Sequence, residues 1–202
     1  MFNGVDISYY DGVVNWKLVR EAGYADFAIF RATVGLKPDT QFMTNYNNYV
    51  QKGRPIGYYA AVHATKITTI RKEANYFLTQ LKHLKYPFCV FVDMECKEQK
   101  ALSKREVTDL LNEWCRIVKK AGYPVGIYTN ADWYKREMYP EEIECDMWWI
   151  AQYASSSKLF REKALIWQYT SNGHIAGIAH RFDFNKGKDE LETWFKRAEQ
   201  MR

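Results

Sequence analysis

The chain has 202 residues, 47% of them apolar and 26% charged, with a net charge of +5. That length and balance suit one compact domain with a sizeable core. No run of Lys and Arg forms a nucleic-acid arm, no apolar run is long enough to span a membrane, and Cys89, Cys96, Cys115 and Cys145 show no CxxC or other metal spacing.

From the N-terminus, short apolar runs alternate with helical patterns. Strands are predicted at 4–8, 26–33, 55–62 and 88–95, with helices at 15–22, 41–52 and 68–84 between them. A helix over 104–121 follows, opened by the capping-box pair Ser103 and Glu106 and stopped at Gly122. Strands are then predicted at 124–130, 147–153, 165–170 and 180–185, and a last helix at 189–200. The connection 132–144 is less helical. Strand–helix alternation predicts a parallel sheet. Eight strands favour closure over an open doubly wound sheet, and no glycine-rich phosphate loop follows any strand. The expected architecture is an α/β, irregular TIM-like (β/α) barrel, with eight strands and fewer helices in its second half, spanning 1–202 as one domain. The cysteines are expected to be free and mostly buried, which suits synthesis in a reducing cytosol. The N-terminus has no basic stretch followed by an apolar one, so no signal peptide is expected in this chain.

Within this pattern Phe88-Cys89-Val90-Phe91-Val92-Asp93-Met94-Glu95 is the most informative stretch. It reads as a buried strand ending in two carboxylates two residues apart. Strand side chains alternate faces, so Asp93 and Glu95 project to the same side, with Cα atoms roughly 6.5 Å apart. Two acids at the end of an apolar strand are costly unless they are used or paired. Paired carboxylates suit acid/base work on a glycosidic bond; a calcium site or a salt-bridged pair are the plainer readings. The other strand ends decide between these. They carry Asp6, Arg31, Tyr59, Tyr128 and Asn130, Gln152 and Tyr153, Gln168 and Tyr169, and Asp183 and Asn185. In such a barrel the site forms at the C-terminal ends of the strands. Four carboxylates, an Arg and several Tyr converging there point to a carbohydrate-type active site. The aromatic surplus, 15 Tyr and 7 Trp, fits a groove that stacks on amphipathic ligands.

The chain resembles the lysozyme-type muramidases of glycoside hydrolase family 25, endolysins among them. The match lies in Gly4-Val5-Asp6-Ile7-Ser8, Phe27-Ala28-Ile29-Phe30-Arg31-Ala32-Thr33, Val92-Asp93-Met94-Glu95, Gly126-Ile127-Tyr128-Thr129-Asn130, Trp149-Ile150-Ala151-Gln152-Tyr153, Trp167-Gln168-Tyr169-Thr170 and Phe182-Asp183-Phe184-Asn185. The resemblance implies a flattened β/α barrel that hydrolyses the β-1,4 bond between N-acetylmuramic acid and N-acetylglucosamine in peptidoglycan. It also implies that Glu95 is the general acid, with Asp6, Asp93 and Asp183 completing the catalytic cluster. The chain departs from the family on the third strand, where Tyr59-Ala60-Ala61 replaces the usual Tyr-His-Phe, although His63 follows.

Acids two residues apart on one strand cannot flank an anomeric carbon as a retaining pair does. Substrate assistance by the sugar's 2-acetamido group fits better, with Asp93 orienting that group and Asp183 or Asp6 positioning it or the incoming water. Inversion, with Asp6 or Asp183 as base, is the competing course. Arg31, Tyr59, Tyr128, Gln152, Tyr153 and Tyr169 are the candidate substrate contacts. Arg31 either meets a substrate carboxylate or, the better fit, holds Asp6. Trp149 and Trp167 read as core more than as sugar platforms. Asp11, Asp39, Asp132 and Asp146 read as turn or cap residues, and the histidines show no ligand spacing. No cofactor and no metal are expected. The expected partner is the peptidoglycan glycan strand, met by a monomer without nucleic acid or membrane insertion. The enzyme would be made in the cytoplasm and act on the wall after phage- or host-mediated release, or be secreted with a leader that this chain lacks. The alternatives are a non-catalytic sugar-binding barrel and a metal-dependent carbohydrate deacetylase.

Overall fold

The computed structural model describes residues 1–51 and 53–201. Its strands are β1 (Phe2–Ile7), β2 (Phe27–Val34), β3 (Lys37–Pro38), β4 (Ile56–Ala61), β5 (Cys89–Asp93), β6 (Val125–Asn130), β7 (Met147–Ala151), β8 (Ile166–Gly173) and β9 (Phe182–Gly187). They form one sheet in the order β1-β9-β8-β7-β6-β5-β4-β2-β3. Because β1 also pairs with β2, eight strands close into a barrel and β3 hangs from β2 as a two-residue hairpin arm. Helices α1 (Trp16–Glu21), α2 (Phe42–Val50), α3 (Ile67–Gln80) and α4 (Lys104–Lys120) cross over in the first half. The second-half crossovers are only α5 (Ala131–Arg136) and α6 (Lys158–Glu162), before a terminal α7 (Leu191–Gln200). The helix predicted over 41–52 ends at Val50, and Lys52 lies outside the described residues.

The expected all-parallel sheet needs one correction. β9 runs antiparallel to both β8 and β1. Only residues 174–181 join β8 to β9, and a parallel return takes a dozen or more residues, usually with a helix. The chain therefore turns back as a hairpin. As a result, the start of β9, not its end, lies level with the C-terminal ends of the other strands.

Strand alternation sorts the side chains. Val5, Phe30, Tyr58, Val90, Val92 and Ile127 point outward into the layer beneath the helices. Phe27, Ile29, Phe91, Tyr128, Trp149 and Ile166 point into the barrel. The α4 stripe Val107, Leu110, Leu111, Trp114, Cys115 and Val118 is buried, as its helical spacing requires. Its capping box between Ser103 and Glu106 forms as expected, and Gly122, at φ 88°, closes it in the left-handed region that glycine tolerates. At the N-terminal end of the barrel α7 inserts Leu191, Phe195 and Ala198 as a plug, with Phe195 edge-on to Phe2 and Phe88. Interior rings fit because some inward positions lack a side chain: a Cβ on Gly126 would come within 2.4 Å of the Phe91 ring. The four cysteines are free; Cys89 and Cys115 are buried, while Cys96 and Cys145 are only half-buried.

Candidate active site

With its N-terminal end plugged, the barrel opens at the other. Asp6 ends the inward row of β1, and its Cα partner across the ladder is Asp183 of β9. Asp93 ends β5, and Glu95 follows it just beyond the strand. Tyr59 of β4 and Tyr128 of β6 complete the floor. Beside Glu95 lies a cleft of about 390 Å³, lined by Glu95, Tyr128, Asn130, Ala131, Asp132, Ala151 and Tyr153.

Asp6 is 4% exposed. Its Oδ2 accepts from Gln168 Nε2 at 2.9 Å and from Asn185 Nδ2 at 2.7 Å. Both amides are held in turn. Gln168 Oε1 accepts from the hydroxyls of Tyr128, at 3.0 Å, and Tyr153, at 2.9 Å. Asn185 Oδ1 accepts from Trp149 Nε1 at 2.7 Å. Trp149, 1% exposed, thus fixes the amide that fixes Asp6. On the other acid pair, Glu95 Oε2 accepts from Asn130 Nδ2 at 2.8 Å.

Burial dominates the electrostatics. It pushes the carboxyls of Asp6 and Asp93 well above the ordinary carboxylate range, and the neighbouring Asp183 and Glu95 carboxyls add to the rise. Arg31 opposes part of the rise at Asp93. Glu95 is also raised by burial, against the pull of its Asn130 hydrogen bond. Asp183 is pushed up to about 6 by burial, with Asp11 adding like charge. The barrel mouth therefore holds protons that water-exposed acids would release.

A stability consequence follows for Asp183. Its folded-state affinity for a proton exceeds the ordinary unfolded value, so the folded state binds more protons between about pH 4 and 6. Stability is fully present below that window and declines as pH rises through it. Asp183→Asn removes this slope. Thermal melts should show variant and wild type nearly equal at pH 4, with the variant the more stable by several degrees above pH 6. A gap independent of pH would contradict this.

Asp6, Asp93, Glu95, Asp183, Tyr59, Tyr128 and Tyr153 gather at the mouth as the sequence suggests. Two expectations change. Arg31 does not hold Asp6: its Nε donates to Asp39 Oδ2 at 2.7 Å. A bulge in β2 after Arg31 and the short β2–β3 hairpin bring Asp39 beneath it, and Asp39 also accepts from the backbone N–H groups of Tyr9 and Gln41. Asp39 is thus more than the turn residue it resembles. Tyr169 neighbours inward Gln168 on β8 and so points outward, onto Tyr24 and Phe184; it does not reach the mouth. The backbone carbonyl of Gln152 accepts from Trp167 Nε1 at 2.7 Å, and its side-chain oxygen is enclosed without a protein partner. Trp149 and Trp167 are both core, the latter against Phe160 outside the barrel. His63, beyond the Ala60-Ala61 departure, is exposed, and its backbone N–H donates to Glu73. Gln168, Asn185 and Asn130 were assigned no role by sequence reasoning; the signal available was their position two residues from another inward residue of the same strand.

Among the described residues no group of three His, Cys, Asp or Glu side chains is arranged to hold a metal ion. The chain is 25% identical over 199 residues to Lysozyme M1 of Streptomyces globisporus, covering 91% of this chain and 66% of that protein. It is 23% identical over 184 residues to the autolytic lysozyme of Clostridium acetobutylicum, covering 91% of this chain and 55% of that one. It therefore spans somewhat over half the length of each. The crystal structure of the CTP1L endolysin superposes with a TM-score of 0.84 at 28% identity, over 98% of this chain and 70% of that one. The family model for glycosyl hydrolases family 25 matches residues 5–178, and the chain belongs to that family.

Proposed function

We propose that this chain is a peptidoglycan muramidase, cleaving the β-1,4 bond on the reducing side of N-acetylmuramic acid with help from the sugar's own 2-acetamido group. Family membership and the lysozymes and endolysin it resembles support the substrate class. The observation that carries the mechanism is the buried pair Asp93 and Glu95 beside an open, tyrosine-lined cleft.

The Glu95 carboxylate raises the proton affinity of Asp93, so the two titrate as a pair. Between its two steps it holds one proton and one negative charge, and the reaction uses both. Glu95 gives its proton to the glycosidic oxygen as the bond to the anomeric carbon breaks. The acetamido oxygen attacks that carbon from the opposite face, while Asp93 accepts the acetamido N–H and stabilises the oxazolinium. Water then attacks the anomeric carbon as its bond to the acetamido oxygen breaks, Glu95 takes the water's proton, and the ring opens back to the acetamide. Asp6 and Asp183, facing each other across the β1–β9 ladder, flank the pair and position the acetamido group or the water. Two displacements at one carbon return the β configuration.

Proton NMR of the first-formed reducing end during cleavage of a chitooligosaccharide or glycan strand should show β-anomer ahead of mutarotation. Initial α-anomer would eliminate substrate assistance in favour of inversion, with Asp6 or Asp183 as base. The polymer lies outside the cell membrane, so we further propose that the enzyme acts on it as a monomer after export or lysis.

A further inference from the structure

Asn130 is the last residue of β6 and the N-cap of α5. The two ends of its amide have separate tasks. Oδ1 accepts from the backbone N–H groups of Asp132 and Trp133, both at 3.0 Å. Nδ2 donates to Glu95 Oε2 at 2.8 Å. A flipped amide would turn its NH2 onto two N–H donors and lose both cap bonds. The start of α5 therefore dictates which way the donor at Glu95 points. Among the described residues no other side chain donates to Glu95.

We infer that Asn130 is the positioning residue for Glu95: by occupying Oε2 from a helix-locked amide, it leaves Oε1 to carry the proton into the cleft and restrains how tightly that proton is held. The inference rests on the reading of Glu95 as the acid. An N–H aimed at Oε2 makes that oxygen an acceptor in both protonation states, so the O–H of the acid form falls to Oε1. The same bond favours the carboxylate and offsets part of the effect of burial. Glu95 feels other groups as well. Asp93 lies two residues earlier, the Asn130 backbone N–H and Lys100 from the turn after β5 draw it down, the phenols of Tyr128 and Tyr153 stand beside it, and Asp132 sits on the cleft lip. All of them stay in place when Asn130 is changed.

Two substitutions separate this role from capping. Asn130→Ser keeps a strong N-cap but is too short to reach Glu95 and adds no charge. Asn130→Asp keeps the cap and sets a carboxylate where the donor was. In both, melting temperature should stay close to wild type. The alkaline limb of kcat/KM, which reports the acid in the free enzyme, should move up by about one pH unit in the Ser variant and further in the Asp variant. The carboxyl carbon of Glu95, followed by NMR in 13C-glutamate protein and assigned by its loss in Glu95→Gln, should titrate upward in step. An unmoved limb and unmoved titration, with kcat or melting temperature simply reduced, would overturn the inference and leave Asn130 a helix cap. Wild-type activity in Glu95→Gln would instead remove Glu95 as the acid, while the carboxyl titration would still report whether Asn130 holds it.

Discussion

Glu95→Gln should lose activity by about 10³-fold in kcat, the middle of the range for a general acid, while the protein stays folded. The substitution preserves shape: the oxygen of the introduced amide can still accept from Asn130 Nδ2, which holds the Glu95 carboxyl at 2.8 Å in the wild type. What disappears is the proton. Stability should hold or rise slightly at neutral pH, because a carboxyl held above its ordinary range by burial is costly when ionised. Asp93→Asn should also reduce kcat, for a different reason. It keeps an acceptor for the acetamido N–H but removes the negative charge that steadies the oxazolinium. Circular dichroism and thermal melts, run with the kinetics, separate these losses from unfolding. A Glu95→Gln enzyme with kcat within tenfold of wild type would mean that another group protonates the leaving oxygen.

The second large effect comes from a residue with no contact to substrate. Trp149→Phe keeps an aromatic ring against Phe91 and Tyr128 but deletes the indole N–H that donates to Asn185 Oδ1 at 2.7 Å. Asn185 is fully buried, so its carbonyl oxygen is left unpaired, at about 1–3 kcal/mol, with the smaller ring adding a void. For a chain of this size melting should fall by roughly 5–10 °C. The amide also loses its reason to present Nδ2 to Asp6, so kcat should drop by about tenfold, as small misplacements of a site do. Melting and kcat both equal to wild type would show that Asp6 is held by Gln168 alone.

The acids were legible in the sequence because ionisable groups at the ends of apolar strands demand a reason. Asp6, Asp93, Glu95 and Asp183 each follow or open a run of buried residues, and period-two alternation places each on the inward face. The amides that orient them were not legible in the same way. Asn and Gln carry no charge, so Gln168, Asn185 and Asn130 look like ordinary strand ends until their partners are seen. Arg31 and Asp39 illustrate a different limit. A bulge and a two-residue hairpin, neither with a periodic signature, bring them together. The helices α5 and α6, at six and five residues, are too short to show a helical period. The direction of β9 was within reach. The stretch between the last two predicted strands is too short for a parallel crossover, and that outweighs the alternating pattern of the first half.

Fragments released from purified peptidoglycan, reduced with borohydride and weighed by mass spectrometry, test the central claim most directly. The expected result is new ends in which N-acetylmuramic acid has become N-acetylmuramitol, formed by the wild type and absent with Glu95→Gln. Reduced N-acetylglucosamine at the new ends, or free stem peptides with intact glycan, would contradict it.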